Sequence, residues 1–199
     1  MGSSGEQTGG RLEHPERIFV VSGPSGVGKN TIVDALCAAG RAVRAVTATS
    51  RAPRPGEVDG KDYYFKSAED FERWLGEGFL LEHTRYCGHY YGTPAFSANR
   101  ACRGGLPVLL VIDVDGAFQL KGRWPQVTLI FISPPTGQAL QERLSRRGDT
   151  DGQSAQERLD RARAELAVAD RYDRIVVNDR LDRAVQEVAE ILEGAAPGS

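Results

Sequence analysis

"GPSGVGKNT", residues 23–31, follows the apolar run "RIFVVS" (17–22) and precedes a stretch of helical pattern. Glycines and a lysine in G-x-x-x-x-G-K order let the backbone wrap its N–H groups around a phosphate. At a helix N-terminus, donors and dipole both favour such an anion. Lys29 adds a point charge for the outer phosphate oxygens. The strand before and the helix after supply the context that a bare motif match lacks. One position breaks the pattern. The residue after the lysine is ordinarily Ser or Thr, whose hydroxyl serves Mg²⁺. Here it is Asn30, and Thr31 follows one place later.

Working outward, the apolar runs "AVRAVT" (42–47), "PVLLVID" (107–113), "VTLIFIS" (127–133) and "RIVVN" (174–178) alternate with helical stretches. Near-continuous apolar strands imply a sheet covered on both faces, hence parallel strands with crossover helices. The expectation is an α/β fold of the P-loop NTPase type. Leu181, Val185, Val188 and Leu192 form one apolar helical stripe. "SPPTGQALQERL" opens another helix with Thr136 as N-cap. Two segments depart from the alternation. Residues 50–92, rich in turns and aromatics, form an inserted subdomain with a helix near "SAEDFERWL". Residues 141–165, charged and Arg-rich, are either a solvated helix pair or a lid over phosphates. The layout expected is a disordered tail over 1–14 and a single domain over 15–199. Its core comprises about 15–49, 93–140 and 166–195.

A chain of 199 residues with 40% hydrophobic residues buries one sizeable core. A net charge of −2 gives no global electrostatic case for nucleic acid or an anionic membrane. Cys37, Cys87 and Cys102 are widely spaced and odd in number, with no metal-ligand spacing to the histidines. "MGSSGEQTGG" lacks the apolar stretch of a signal peptide, and the apolar runs are too short to span a bilayer. A soluble, reduced, cytoplasmic protein is expected, a monomer or weak homo-oligomer. "VLLVIDVDG" ends an apolar strand at Asp113, a position for an acid that organises Mg²⁺ or substrate and also a common turn residue.

"TSRAPRPGEVDGKDYYF" (49–65) narrows the field. Together with "GPSGVGKNT", "LLEHTRYCGHYYGT", "IDVDGA", "RRGDT" and "VVND", in order from about residue 17 to 193, it resembles the guanylate kinases. The resemblance implies an ATP:GMP phosphotransferase that transfers a phosphoryl group in line, with Mg²⁺, to GMP and to dGMP. It also implies that the 50–92 insert binds GMP and that 141–165 is the lid.

Position by position, Arg51 and Arg54 match a pair that holds the GMP phosphate, and Tyr63 and Tyr91 match hydroxyl donors to it. Glu82 matches the carboxylate that accepts from guanine N1–H and N2–H, Thr93 a hydroxyl near O6, and Thr47 a position near the base. Adenine has no such donor edge, so the carboxylate would go unpaired against it. Thr93 could equally be an N-cap before Pro94. Asp113 belongs to both the GMP set and the catalytic set. Gly23, Ser25, Gly26, Val27, Gly28, Lys29, Asn30 and Thr31 match the ATP-phosphate loop, and Asn178 a position near the ATP base. Arg143, Arg147 and Arg158 match lid arginines that reach the transferring group, with Arg146 a rival to Arg147. Thr31 takes the Mg²⁺-side hydroxyl, partly through water, and Asn30 is given no required role. Two positions depart from the family pattern: Val111 stands where an acid is common, and Asp115 where Gln is. Val111 leaves open a kinase of a related or modified nucleotide, and the varied residue after Lys29 a kinase of ribose 1,5-bisphosphate. A phosphoprotein-binding relative is disfavoured by the intact loop and lid arginines.

Overall fold

The computed structural model describes residues 10–146 and 155–194. The expected alternation builds a five-stranded sheet, all of whose pairings are parallel. Its central strand β1 (Ile18–Ser22) is buried along its whole length, as a continuous apolar run requires. β7 (Val108–Val111) and β8 (Thr128–Ser133) flank it, with β2 (Val43–Arg44) and β9 (Arg174–Val177) at the edges. The "AVRAVT" run yields only two paired residues, because the chain leaves the sheet after Arg44.

It enters a second, four-stranded sheet ordered β4-β3-β6-β5. The strands are β3 (Ala48–Thr49), β4 (Tyr64–Phe65), β5 (Leu80–Tyr86) and β6 (His89–Pro94). The insert therefore spans Ala48 to Pro94, slightly wider than 50–92. Within it, α2 (Ala68–Gly76) is capped by Ser67, whose hydroxyl accepts from the Asp70 N–H at 3.0 Å.

Helices cover both faces of the main sheet. α1 (Lys29–Ala38) and α7 (Leu181–Gly194) bury Ile32, Val33 and Leu36 with Val188 and Leu192 on one side. α3 (Ala95–Cys102) and α4 (Val114–Arg123) pack Ala98, Ala117 and Leu120 on the other. The α7 stripe holds except at its first member, since Leu181 is exposed and Ala184 and Ala189 are buried instead. α5 (Gly137–Arg146) and α6 (Ala155–Leu166) carry the charged segment. Thr136 caps α5 by accepting from the Ala139 N–H.

The tail expected over 1–14 is corrected for its last residues; residues 1–9 lie outside the described part. Leu12 is buried in the core. Asn99 accepts from the Glu13 N–H and donates to the Arg11 carbonyl. Arg123 donates to the Gly10 carbonyl. Side chains from α3 and α4 thus tie this segment down. Among the described residues no helix is long and apolar enough to cross a membrane.

Candidate functional site

A cavity of about 280 Å³ lies where the two sheets meet. One wall is the loop between β1 and α1. Gly23, Ser25, Gly26, Gly28, Lys29, Asn30 and Thr31 all line it. Gly28 sits at φ 100°, a conformation that glycine adopts without strain, and stands at the N-cap of α1. It has no side chain to offer the helix, and α1 carries no acid in its first turn. The helix N-terminus thus faces the cavity without a built-in anion. Lys29 Nζ donates to the carbonyls of Gly23 and Pro24, folding back over the loop it belongs to.

Two of the expected loop contacts take another form. The Val27 side chain is fully buried in the core, so only its backbone can serve a phosphate. Asn178 is not in the cavity wall. It is buried, and its amide donates to the Val27 carbonyl at 2.8 Å. A Cβ on Gly28 would meet that amide at 2.5 Å. Asn178 therefore pins the loop from behind. The reason is the short reach from the end of β9, beside β8, to the loop backbone.

The opposite wall comes from the insert. Glu82 on β5 is buried, and the Thr93 hydroxyl donates to its Oε1 at 2.6 Å. Burial above all, with Asp113 nearby, pushes the Glu82 carboxyl up to about 8, against the lowering effect of Thr93. Thr93 is itself fully buried behind Glu82, and Pro94 rather than Thr93 is the residue before α3. Its hydroxyl orients the carboxyl; it does not cap the helix. Gly116, in the first turn of α4, approaches so closely that a Cβ there would collide with Glu82 Oε2. Sequence reasoning missed this position, because nothing local marks it.

Asp113 does two things at once. One carboxylate oxygen accepts from the Gly116 N–H at 2.9 Å as the N-cap of α4, and the other lies 3.5 Å from an Arg161 nitrogen. Val111 and Thr47 line the cavity too, whereas Asp115 is exposed outside it.

Between these walls stands an aromatic and basic cluster. Tyr63 and Tyr91 line the cavity with their rings T-shaped, edge to face, centroids 6.3 Å apart. Burial raises the Tyr63 phenol, so it stays a neutral donor. Arg51 lies 5.5 Å above the Tyr63 ring. Its two terminal nitrogens fork onto Glu57 at 2.9 Å each, and one also donates to the Ala52 carbonyl. Glu57 additionally accepts from the Arg54 N–H at 2.7 Å. Its carboxyl is lowered, first by the Arg51 hydrogen bonds. Glu57, quoted within the motif but given no role, is thus the brace of both arginines. Arg54 itself is exposed and lies outside the cavity wall.

On the side formed by α6, an arginine outside the expected set lines the cavity. The Arg143 side chain and all of Arg147 lie outside the described residues. Arg158 is half-buried but does not line the cavity. Arg161, one turn further along α6, does. Its guanidinium sits 4.3 Å from the Tyr86 ring centroid, donates to Glu165 at 2.9 Å, and approaches Asp113. Glu165 lines the cavity as well; burial raises its carboxyl, against the lowering pull of Arg161. A six-arginine stretch offers no signal that singles out Arg161. Only its i,i+4 spacing to Glu165 was readable.

The family model described as guanylate kinase matches residues 15–195. The chain is 48% identical over 188 residues to a guanylate kinase of Gloeobacter violaceus, covering 90% of this chain and 88% of that one. It is 43% identical over 183 residues to a guanylate kinase of Rubrobacter xylanophilus, covering 92% and 96%. Among solved structures, a guanylate kinase from Anaplasma phagocytophilum matches with a TM-score of 0.72 at 33% identity, covering 92% of this chain and 87% of that one.

Proposed function

The chain belongs to the guanylate kinase family and catalyses ATP-dependent phosphorylation of GMP to GDP; on that premise we propose which of its residues carry the reaction. Glu82 accepts from the guanine N1–H and N2–H, held in place by Thr93. Arg51, Arg54, Tyr63 and Tyr91 hold the GMP phosphate, with Glu57 as the brace of the arginine pair. The loop from Gly23 to Thr31 and Lys29 hold the ATP phosphates. Arg143, Arg147 and Arg158 bring positive charge to the transferring group, and Arg161 ties the lid helix to Tyr86 of the insert and Asp113 of the core. In phosphoryl transfer the charge spreads over the equatorial oxygens, so positioned cations and donors supply most of the rate.

The site's donors suit Mg²⁺. The Thr31 hydroxyl and the carboxylates of Asp113 and Glu165 line one cavity, a hard-oxygen set. Mg²⁺ keeps several waters and is commonly bound through one or two protein oxygens plus substrate phosphates. When bound, Mg²⁺ neutralises charge across the outer ATP phosphates; Thr31 is the residue placed to hold it. dGMP is a second acceptor, because no group assigned above reads the ribose 2′-hydroxyl.

The observation that supports this reading best is the buried Glu82 facing a cavity whose far wall is a phosphate loop. A coupled assay of MgATP against GMP, dGMP, AMP and UMP tests it. GMP and dGMP are expected to turn over, with AMP poorer by about three powers of ten in kcat/KM, since a site built to pair a donor edge rejects a base lacking it. Equal turnover of AMP and GMP would remove Glu82 from its role.

A further inference from the structure

We propose that Arg44 is an additional guanidinium directed at the acceptor's monophosphate dianion, and that Asn30, which breaks the phosphate-loop pattern, is the residue that aims it. This deepens the GMP-kinase reading above and rests on it. Arg44 ends β2, the edge strand, and its side chain lies across the first turn of α1. One terminal nitrogen donates to Asn30 Oδ1 at 3.0 Å and the other to Asp34 Oδ1 at 3.2 Å. Arg44 also lines the cavity, with Lys29, Thr31 and Tyr63. It therefore stands on the wall that joins the phosphate loop to the clamp.

Electrostatics agree with that placement. The Tyr63 phenol, raised chiefly by burial, is pulled down by the charges of Arg44 and Arg51 alike. The field of Arg44 thus reaches the hydroxyl assigned to the GMP phosphate. The residue type at position 30 then has a reason. An amide oxygen accepts from a guanidinium yet carries no charge, so it fixes direction without neutralising the cation. Ser, the ordinary residue there, lacks the extra reach of the amide group. Among the described residues the carboxylate paired with Arg44 is Asp34, whose side chain is 66% exposed, so water screens that pair and leaves the positive field on the cavity side.

The test is a set of steady-state measurements at fixed ionic strength on wild type, Arg44→Ala, Arg44→Lys, Asn30→Ser and the Asn30→Ser/Arg44→Ala double variant. Wild-type turnover of GMP establishes the parent reading by itself; without it, that reading fails rather than this one. Given that turnover, Arg44→Ala should raise the KM for GMP about tenfold, the scale of one charge-assisted contact, with the KM for ATP within about twofold. Arg44→Lys should recover part of the loss. Asn30→Ser, a change at an exposed position that leaves the core intact, should raise the KM for GMP about threefold. In the double variant the two effects should not multiply, because Asn30 acts only through Arg44. Unchanged GMP constants in Arg44→Ala and Asn30→Ser, with only a lowered Tm, would make Arg44 a pin between strand and helix and overturn the proposal. Multiplying effects would overturn the aiming role of Asn30.

Discussion

The two walls of the cleft hold their charges differently. On the base side, Glu82 is buried, bonded to Thr93, closed in by Gly116, and close to the Asp113 that caps α4. On the phosphate side, Arg54 and Asn30 are exposed, Lys29 folds onto its own loop, Arg51 forks onto Glu57, Arg44 reaches Asn30 on α1, and Arg161 sits on α6. A buried acid reports its surroundings through its pKa and through what it refuses to bind. A cation at the transferring group, such as Lys29, reports through rate, because it contributes most when the charge of the transition state arrives. Removing a group from each wall should therefore give distinguishable kinetic signatures.

The largest effect is expected on the phosphate side. Lys29→Met should lower kcat by about three powers of ten, the upper range for losing one preorganised charge at a transferring group. The KM for GMP should stay within about threefold, since Glu82 and the Arg51 clamp are untouched. Steady-state kinetics with both substrates varied would check it. A change confined to the KM for GMP would mean that the two walls do not divide the work in this way.

The base side makes a smaller, pH-dependent prediction. With its carboxyl raised to about 8, Glu82 is mostly protonated in the free enzyme at neutral pH, whereas guanine binding requires the acceptor form. Binding GMP then releases a proton. kcat/KM for GMP should rise by up to about tenfold per pH unit from 6.5 and level off near 8. Starting at 6.5 keeps the GMP phosphate mostly dianionic, its second pKa being about 6. Glu82→Gln should lower kcat/KM for GMP by about two powers of ten at high pH and abolish the slope. Folding stability carries the same sign of burial. An acid whose pKa is raised in the folded state binds more protons there than when unfolded, so its contribution to stability falls as pH rises from about 4.5 to about 8. A flat profile in wild type would show that Glu82 is ionised before guanine arrives.

How much of this was legible in the sequence follows the same division. The phosphate loop and β1 are contiguous, so spacing and apolar runs sufficed to place them. β3 and β4 are two residues each, and β2 stops at Arg44; a pair that short is fixed by its neighbours rather than by its own pattern. The resemblance singled out Glu82, Tyr63 and Tyr91, and all three line one cavity. It gave no sign that Thr93 lies behind Glu82, that Asn178 holds the loop, or that residues 10–14 dock on α3 and α4. Each of those depends on a partner at least 11 positions away, such as the 151-residue separation of Asn178 and Val27. Arg44 was unreadable for a related reason: its partner Asn30 looked like an exception to one motif, not half of a pair.

The smallest effect is expected at Val111, where an acid is common in the family pattern and this chain has none. Val111 lines the cavity with Glu82 and Asp113, and its side chain packs partly against the core that includes Phe19 and Val21. Val111→Asp places a carboxylate in a cavity where one acid is already raised by burial and by Asp113. Like charges at close range disfavour ionisation, so the new group pushes Glu82 higher still. At pH 7 this deepens the protonation of Glu82, and kcat/KM for GMP should fall about threefold. Near pH 9, where Glu82 is ionised in both proteins, the two should agree within about twofold. The pH profile of the variant should keep the wild-type shape with its plateau shifted upward by about half a unit, the equivalent of that threefold change. A gain in GMP turnover at every pH would give the opposite lesson. The new carboxylate would then hydrogen-bond the base directly, and the base side would be short of acceptors rather than crowded with charge.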